Sequence, residues 1–408
     1  MTTKCSGATG LSGLLVLFMS VAAGLGTSTI YVLQPAVADV ADSLASRTSA
    51  VGVALALGPI GYMVGLAVLV PLVDRFAPSR VLAAQFGTLA TALAITAAAG
   101  NVGLLGAVMA VTGAFSAVGA AMSSIGGRFA SVHRRATTLG IVTAGISAGI
   151  LAGRLVGGWL ADQWGWRAML LLFAAACAAL ALCCLALLPA TRGGADGGYF
   201  ADLRSLPMLV VRSAALRQAA VRGALWFFAF CALWAALAVA LSEPPYSYSA
   251  ERIGLYALAG LSGLAATQIA GLWTDRVGAQ KVILLGLSTS VCAAALAAVV
   301  LDSTGATLLC LAIFDAGLFA AQVANQSTVL AIDPAAPARF NSAYMVVYFV
   351  GGSLGTAFGA AAVEWFGWFA TAMSAAAAIG AAAVLTATTS ARRTLATHQP
   401  SLAADPRE

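Results

Sequence analysis

Arg154 and Asp315 are ionisable side chains set inside long apolar stretches of the chain. A charged residue at the centre of a membrane helix costs about 2.5–3.5 kcal/mol on the insertion scale, so it is expected to face a partner or a wet cavity and to serve a purpose there. At about 1.5 Å per residue, Arg154 stands roughly 9 Å from its helix end near Leu160, and Asp315 roughly 12 Å from its own near Thr307. These similar depths lead us to expect that the two pair in one conformation, directly or through water, and that Asp315 is protonated in another. Burial favours the neutral acid and a nearby guanidinium favours the carboxylate, so separating the two would draw in a proton. A structural ion pair, or an arginine reaching outward beside an aspartate in a wet cavity, accounts for the same residues without coupling.

Other polar and aromatic residues recur at helical spacing and therefore share single faces. Asp315, Phe319, Gln322 and Gln326 form one such stripe, with Asn325 beside it; Tyr31 and Gln34 follow Thr27; Thr112 and Ser116 precede Ser123; Trp226, Phe230 and Trp234 form a fourth. These faces are unlike lipid-facing surface. Helix packing alone also employs Ser, Thr and Gln, and tryptophan anchors at interfaces. The two histidines, His133 and His398, lie in polar segments without carboxylates at metal-ligand spacing, so neither a metal site nor a cofactor is expected. The cysteines (Cys5, Cys177, Cys183, Cys184, Cys231, Cys292, Cys310) fall mostly in apolar stretches as small hydrophobes. No phosphate-binding loop ending in Gly-Lys-Ser/Thr occurs, which argues against direct use of ATP. An intramembrane enzyme is likewise disfavoured, because no buried acid pair is present.

The elements that must position these groups follow from composition. Of 408 residues 61% are apolar and 9% charged, which excludes a soluble domain. A bilayer-spanning helix needs about 20 apolar residues. Such stretches are expected at 11–37, 50–72, 81–100, 102–127, 137–160, 168–189, 218–242, 252–272, 281–301, 305–331, 340–363 and 366–389. The first follows Lys4 and stays apolar to Val37, so it reads as a retained helix rather than a signal segment. Of the 21 lysines and arginines, all but four fall in segments on one side if both termini are cytoplasmic; the exceptions are Arg47, Arg167 and Arg252 outside, and Arg154 within a helix. Basic residues are held on the cytoplasmic side during insertion. The net charge of +6 is thus a topology signal and implies no nucleic-acid partner.

The chain repeats itself at half its length. An offset of 202 residues superposes Gly52 on Gly254, Gly58 on Gly260, Gly149 on Gly351, Gly153 on Gly355 and Gly165-Trp166 on Gly367-Trp368. A shift of one residue superposes Asp74-Arg75 on Asp275-Arg276. Such matching marks a parallel repeat about an axis along the membrane normal. The expected organisation is an all-α membrane protein of 12 transmembrane helices: an N-terminal six-helix bundle over 1–190, a cytoplasmic linker over 191–217, a C-terminal six-helix bundle over 218–390 and a cytoplasmic tail over 391–408.

Gly271-Leu-Trp-Thr-Asp275-Arg276-Val-Gly278 followed by Lys281 resembles the loop signature of the major facilitator superfamily. Its first-half copy, Val70 to Arg80, keeps Asp74, Arg75 and Arg80 but has Val70 and Ala77 where the family usually has glycine. Gly149 to Gly158 is similar to the glycine-rich signature of the drug:proton antiporter branch, with Arg154 in place of its usual proline, and Tyr31 with Gln34-Pro35 is similar to an element of a bacterial subset of that branch. The branch's fourth-helix arginine is absent, Met109, Thr112 and Gly113 occupying that region, so coupling must use other groups.

The resemblance implies the major facilitator fold, alternating access and a central cavity lined by the four stripes above. Its residues would be Tyr31, Gln34, Thr112, Ser116, Trp226, Phe230, Trp234, Phe319, Gln322, Asn325 and Gln326. Aromatic walls with a few amides and one carboxylate suit an amphipathic organic compound, a cation included, better than a sugar. It also implies gates at Asp74, Arg75, Asp275 and Arg276, with Asp74 facing the helix start near Asn341 and Arg128 as a partner. Gly149, Gly153 and Gly157 would thin a helix interface. The function expected is secondary active export of a small organic compound or drug through the cytoplasmic membrane, by a monomer, in exchange for protons. A membrane potential of about 150 mV supplies roughly 3.5 kcal/mol per charge. Uptake or facilitated diffusion by the same fold, and a transporter-like sensor, are the alternatives.

Overall fold

The computed structural model describes residues 11–131, 134–190, 199–333 and 337–398. The described chain is helical, and no strand occurs among these residues. The helices are α1 (Gly13–Ser28), α2 (Val37–Ser43), α3 (Thr48–Leu55), α4 (Leu57–Val68), α5 (Leu72–Arg75), α6 (Pro78–Ala97), α7 (Val102–Ser116), α8 (Val118–Phe129), α9 (Arg135–Trp164), α10 (Trp166–Leu187), α11 (Tyr199–Arg212), α12 (Ala214–Ser242), α13 (Ala250–Leu255), α14 (Leu261–Val277), α15 (Ala279–Ala297), α16 (Thr304–Leu330) and α17 (Pro337–His398). By length and composition ten helical runs among the described residues can cross a membrane, and α1 is a shorter apolar helix. The run through α17 contains one non-helical residue, Gly367.

Side chains start several of these helices. Ser12, Asn101, Ser249 and Ser303 each accept a hydrogen bond from the backbone N–H three residues on, filling a donor that the first turn leaves unpaired. Gly165 (φ 82°) and Gly367 (φ 78°) turn the chain at positions 202 residues apart, a backbone region that L side chains rarely adopt. The structure therefore repeats at the joint where the sequence does. The Asp-Arg loops differ: Gly278 has φ 91°, whereas Ala77 stays extended at φ −62° and leads into Pro78.

Three of the expected spans are interrupted, the second of them close to Gly58-Pro59, where proline is expected to bend it. The first breaks after Ser28 into a tight turn, with Tyr31 N–H donating to Ser28 O (2.8 Å) and Gln34 N–H to Tyr31 O (3.1 Å). Pro35 disfavours helical geometry at Gln34, so the turn does not run on as helix before Val37. The second is broken at Ala56, where Pro59 cannot donate to the Leu55 carbonyl. The fourth is broken at Ala117. In addition, the linker is not all irregular, because α11 forms within it and leaves Met208 and Val211 exposed.

Two compact units emerge from the packing. The first takes in the chain up to Ser205 together with Cys231–Leu261 and Gly352–Thr371; the second takes in Leu206–Phe230, Ser262–Gly351 and the chain from Ala372. The first unit thus contains residues from both halves of the sequence. Within it α9 lies on α1 and the turn after it so closely that Cβ atoms at Gly149, Gly153 and Gly157 would collide with Gly24, Ser28 and Val32. Small residues let membrane helices approach to van der Waals contact of their backbones. In the second unit α15 and α16 meet in the same way at Gly286 and Gly317, and α12 meets α17 at Ala224 and Gly351.

Candidate functional site

In the first unit the broken end of α1, the middle of α9 and the second half of α12 converge on Arg154. Its side chain is 5% exposed. The Nε–H donates to Gln34 Oε1 at 2.9 Å, and the guanidinium lies 4.6 Å from the Trp234 ring centre and 5.3 Å from that of Tyr31. Desolvated cation–π contacts reach about 2 kcal/mol each, and a hydrogen bond to a charged group contributes about 1.5–3 kcal/mol. Together these are large enough to offset the roughly 2.5–3.5 kcal/mol that inserting an arginine costs. The tight turn after Ser28 is what aims Tyr31 and Gln34 at one point, since neither follows the α1 spiral. Three of the expected cavity residues, Tyr31, Gln34 and Trp234, are thereby gathered around one expected coupling residue.

At one end of the same unit the two halves of the sequence are pressed together. Arg47 Nη1 lies 3.3 Å from Glu364 Oε1, and Thr48 Oγ1 donates to Glu243 Oε1 at 2.8 Å. Beneath them a Cβ at Gly52 would collide with Ala360, and one at Gly158 with Ala250. Exposed ion pairs contribute only about 0–1 kcal/mol, so the glycine contacts do most of the closing. Thr112 and Ser116 are fully buried in helix packing: Ser116 Oγ donates to the Gly113 carbonyl (2.7 Å), and Thr112 Oγ1 has no hydrogen-bond partner among the described residues.

The second unit holds Asp315, 1% exposed on α16. Near it in sequence is an aromatic cluster. Phe230 stands edge-on to Phe319 (5.6 Å) and stacks with Phe314 (6.5 Å), Phe227 stacks on Tyr348 (4.0 Å), and Trp226 meets Tyr348 edge-on (5.2 Å). Trp226, Phe230 and Trp234 are therefore divided, the first two entering this cluster and the third going to Arg154. Tyr348, Phe227 and Phe314 were absent from the expected residues, although Tyr344 and Tyr348 stand one turn apart in the sequence and would have marked the face.

A second buried arginine was also missed. Arg222 is counted with the cytoplasmic residues although it falls within the expected span 218–242, and it lies two turns inside α12 at 8% exposure. Its Nε–H donates to Asn325 Oδ1 at 2.8 Å, and Nη2 reaches the same oxygen. Asn325 Nδ2 donates to Ala219 O (3.0 Å) and Tyr344 Oη (3.3 Å), and the Tyr344 hydroxyl donates to Gln322 Oε1 (2.7 Å). Gln326 Nε2 donates to Asn341 Oδ1 at 3.0 Å.

Of the expected gate residues, Asp275 and Arg276 are exposed at the end of α14 and Arg75 ends α5. Arg128 Nη1 donates to the Val73 carbonyl at 3.3 Å, beside Asp74; the Asp74 side chain lies outside the described residues, as do His133 and Cys5. Gly149 and Gly153 face α1 of their own half, and Gly157 faces the turn after it at Val32.

The described residues form helices of which ten are long and apolar enough to cross a membrane, with cations buried among them, an architecture that suits a membrane transport protein. The profile of the Major Facilitator Superfamily matches residues 16–355, and the chain is a member of that superfamily. It is 34% identical over 346 residues to a probable transporter, SCO4007, of Streptomyces coelicolor, covering 84% of this chain and 79% of that one. It is 29% identical over 374 residues to the uncharacterized transporter YgaY of Escherichia coli O157:H7, covering 88% and 91%. Among solved structures, the nucleoside transporter NupG superposes with a TM-score of 0.75 at 14% identity, covering 92% of this chain and 99% of that one. A bacterial homolog of the human lysosomal transporter Spinster, inward-facing and unoccupied, gives 0.73 at 14% identity, with 96% and 98% covered. These likenesses carry the fold. The chain is a transporter and not an enzyme.

Proposed function

We propose that this transporter exports a small amphipathic organic compound across the cytoplasmic membrane in exchange for protons, in the manner of the drug:proton antiporter branch. In this reading twelve spans form two six-helix bundles over 1–190 and 218–390, joined through 191–217, with both termini cytoplasmic and the chain acting as a monomer. The end bearing Arg47, Glu243 and Glu364 is then the outer one, closed in this conformation. Asp74, Arg75, Arg128, Asp275 and Arg276 belong to the inner gates.

The observation that carries this reading is the burial of ionisable side chains in spanning helices of each half, Arg154 at 5% exposure and Asp315 at 1%. Intramembrane charges of this kind mark substrate and proton pathways. Asp315 is the proton carrier: a carboxyl shut away from water takes up a proton when counter-charge withdraws and releases it when charge returns. Tyr31, Gln34 and Trp234 hold Arg154 in register for that exchange. Phe230, Phe319 and Gln322 offer the flat apolar walls and the amide that an amphipathic substrate requires.

Everted vesicles with an imposed acid lumen test the reading with a panel of fluorescent amphipathic dyes. We expect dye accumulation that collapses when the gradient is discharged and is lost in Asp315→Asn. Accumulation indifferent to the gradient would remove proton coupling, and gradient-driven movement in the opposite sense would favour uptake instead.

A further inference from the structure

The second unit contains a cavity of about 440 Å³ lined by Gln218, Arg222, Gln280, Thr328 and Thr386, with Ala215, Ala219, Ile283, Ala331 and Ile332 completing its wall. The polar residues come from the second and third turns of α12, the first turn of α15, the last turn of α16 and the last stretch of α17. All four lie on the side that the basic residues assign to the cytoplasm. The lining carries one cation and no carboxylate. The amides of Gln218 and Gln280 stand at two further positions around it, while the Thr328 and Thr386 hydroxyls donate to the Asn325 and Ala382 carbonyls of their own helices (2.7 and 2.8 Å).

Arg222 is held in place rather than mobile. Asn325 receives its Nε and Nη2 protons, and Nη1 reaches Thr386 Oγ1 only at 3.4 Å. Gln280 Nε2 likewise reaches the Thr386 carbonyl only at 3.5 Å. Long bonds of this sort are readily exchanged for a charge-assisted one, which is shorter and about twice as strong. A tetrahedral oxyanion can accept from a guanidinium and amides at once, and basic pockets between membrane helices near the cytoplasmic surface suit anionic headgroups.

We propose that this cavity is a binding site for an anionic phosphate group, with Arg222 as its counter-charge and the Gln218 and Gln280 amides as donors. The chemistry is shared by an anionic phospholipid headgroup and a free phosphate in the cytosol. The site is separate from the Arg154 cluster, and its test does not depend on transport.

Thermal unfolding of the delipidated full chain in a neutral detergent decides the matter. Phosphatidylglycerol, phosphatidylcholine and inorganic phosphate are titrated in parallel, the last against sodium chloride of equal ionic strength. A ligand that binds the native state raises Tm with its occupancy. We expect phosphatidylglycerol to stabilise the wild type more than phosphatidylcholine if a lipid fills the site, and inorganic phosphate to do so if the ligand is soluble. Gln218→Glu sets a carboxylate in the cavity while sparing the Arg222–Asn325 contact, and should weaken the effective ligand at least about tenfold. Arg222→Gln should do the same where it folds, and Gln218→Glu decides alone where it does not. The proposal is overturned if neither anion stabilises the wild type beyond its control, or if the stabilisation survives unchanged in Gln218→Glu.

Discussion

Gly254 lies against the backbone of Arg154, so that a Cβ at 254 would stand 2.7 Å from the Arg154 carbonyl oxygen. The contact joins the two halves of the sequence next to a buried cation. It also has a mirror: subtracting 202 from Gly254 gives Gly52, and adding 202 to Gly158 gives Ala360. A Cβ at Gly52 would collide with Ala360, and one at Gly158 would meet the Gly254 Cα at 3.3 Å. The internal repeat thus closes this end with two copies of one contact.

Bulk at position 254 should pry that closure open. Overpacking costs about 1–3 kcal/mol, enough to shift a two-state equilibrium about 5- to 150-fold. We expect Gly254→Leu to lower transport by about an order of magnitude. In a Gln34→Cys background it should speed labelling by a membrane-impermeant thiol reagent added outside. An unchanged labelling rate would mean that the contact does not gate.

Arg154→Lys should behave as a severe substitution. Lysine has no Nε–H to donate to Gln34 and no planar fork that reaches the Trp234 and Tyr31 rings at the same time, and Lys and Arg are not interchangeable at such sites. The expected loss is about 1–3 kcal/mol of stability, with transport falling in step. Combining Arg154→Lys with Trp234→Leu should lose less than the two singles together, because both remove one contact. Full additivity would contradict the arrangement.

Asp39 on α2 gives a pH-dependent expectation. Partial burial, with Asp162 and Asp42 nearby, raises its pKa above the ordinary 3.8. The folded state therefore favours its protonated form. The stability this contributes is complete below the ordinary carboxylate value and is lost as pH rises through the raised one. Asp39→Asn should raise Tm at pH 7, and its advantage should vanish as pH falls toward 3.8. A constant advantage across that range would rule out the electrostatic cause.

The joint glycines should separate backbone strain from packing. Nothing lies within 4 Å of a Cβ built at Gly165 or Gly367, yet both have positive φ. Alanine at either should cost about 1–3 kcal/mol from strain alone. Gly380, also open but helical, should gain up to about 1 kcal/mol as alanine. Denaturation of the three variants checks the contrast.

Apolar run length and small-residue spacing carried the spans, the Gly165 and Gly367 joints and the family, because burial in lipid and close helix approach act on local composition. The breaks after Ser28 and at Ala117 were harder to see, since they depend on how a turn packs. Arg222 falls inside the expected span 218–242 yet is counted with the cytoplasmic residues, because a basic residue near a span end reads as a topology signal, whereas its burial depends on Asn325 of another helix. That Arg154 and Asp315 are buried was determined by the chain itself, through the cost of charge in hydrocarbon. That Tyr31, Gln34 and Trp234 surround one of them, while Trp226 and Phe230 join Tyr348, was decided only in three dimensions. Spacing fixes which residues share a face of one helix, whereas partners on other helices are chosen by how the glycine-lined surfaces come together.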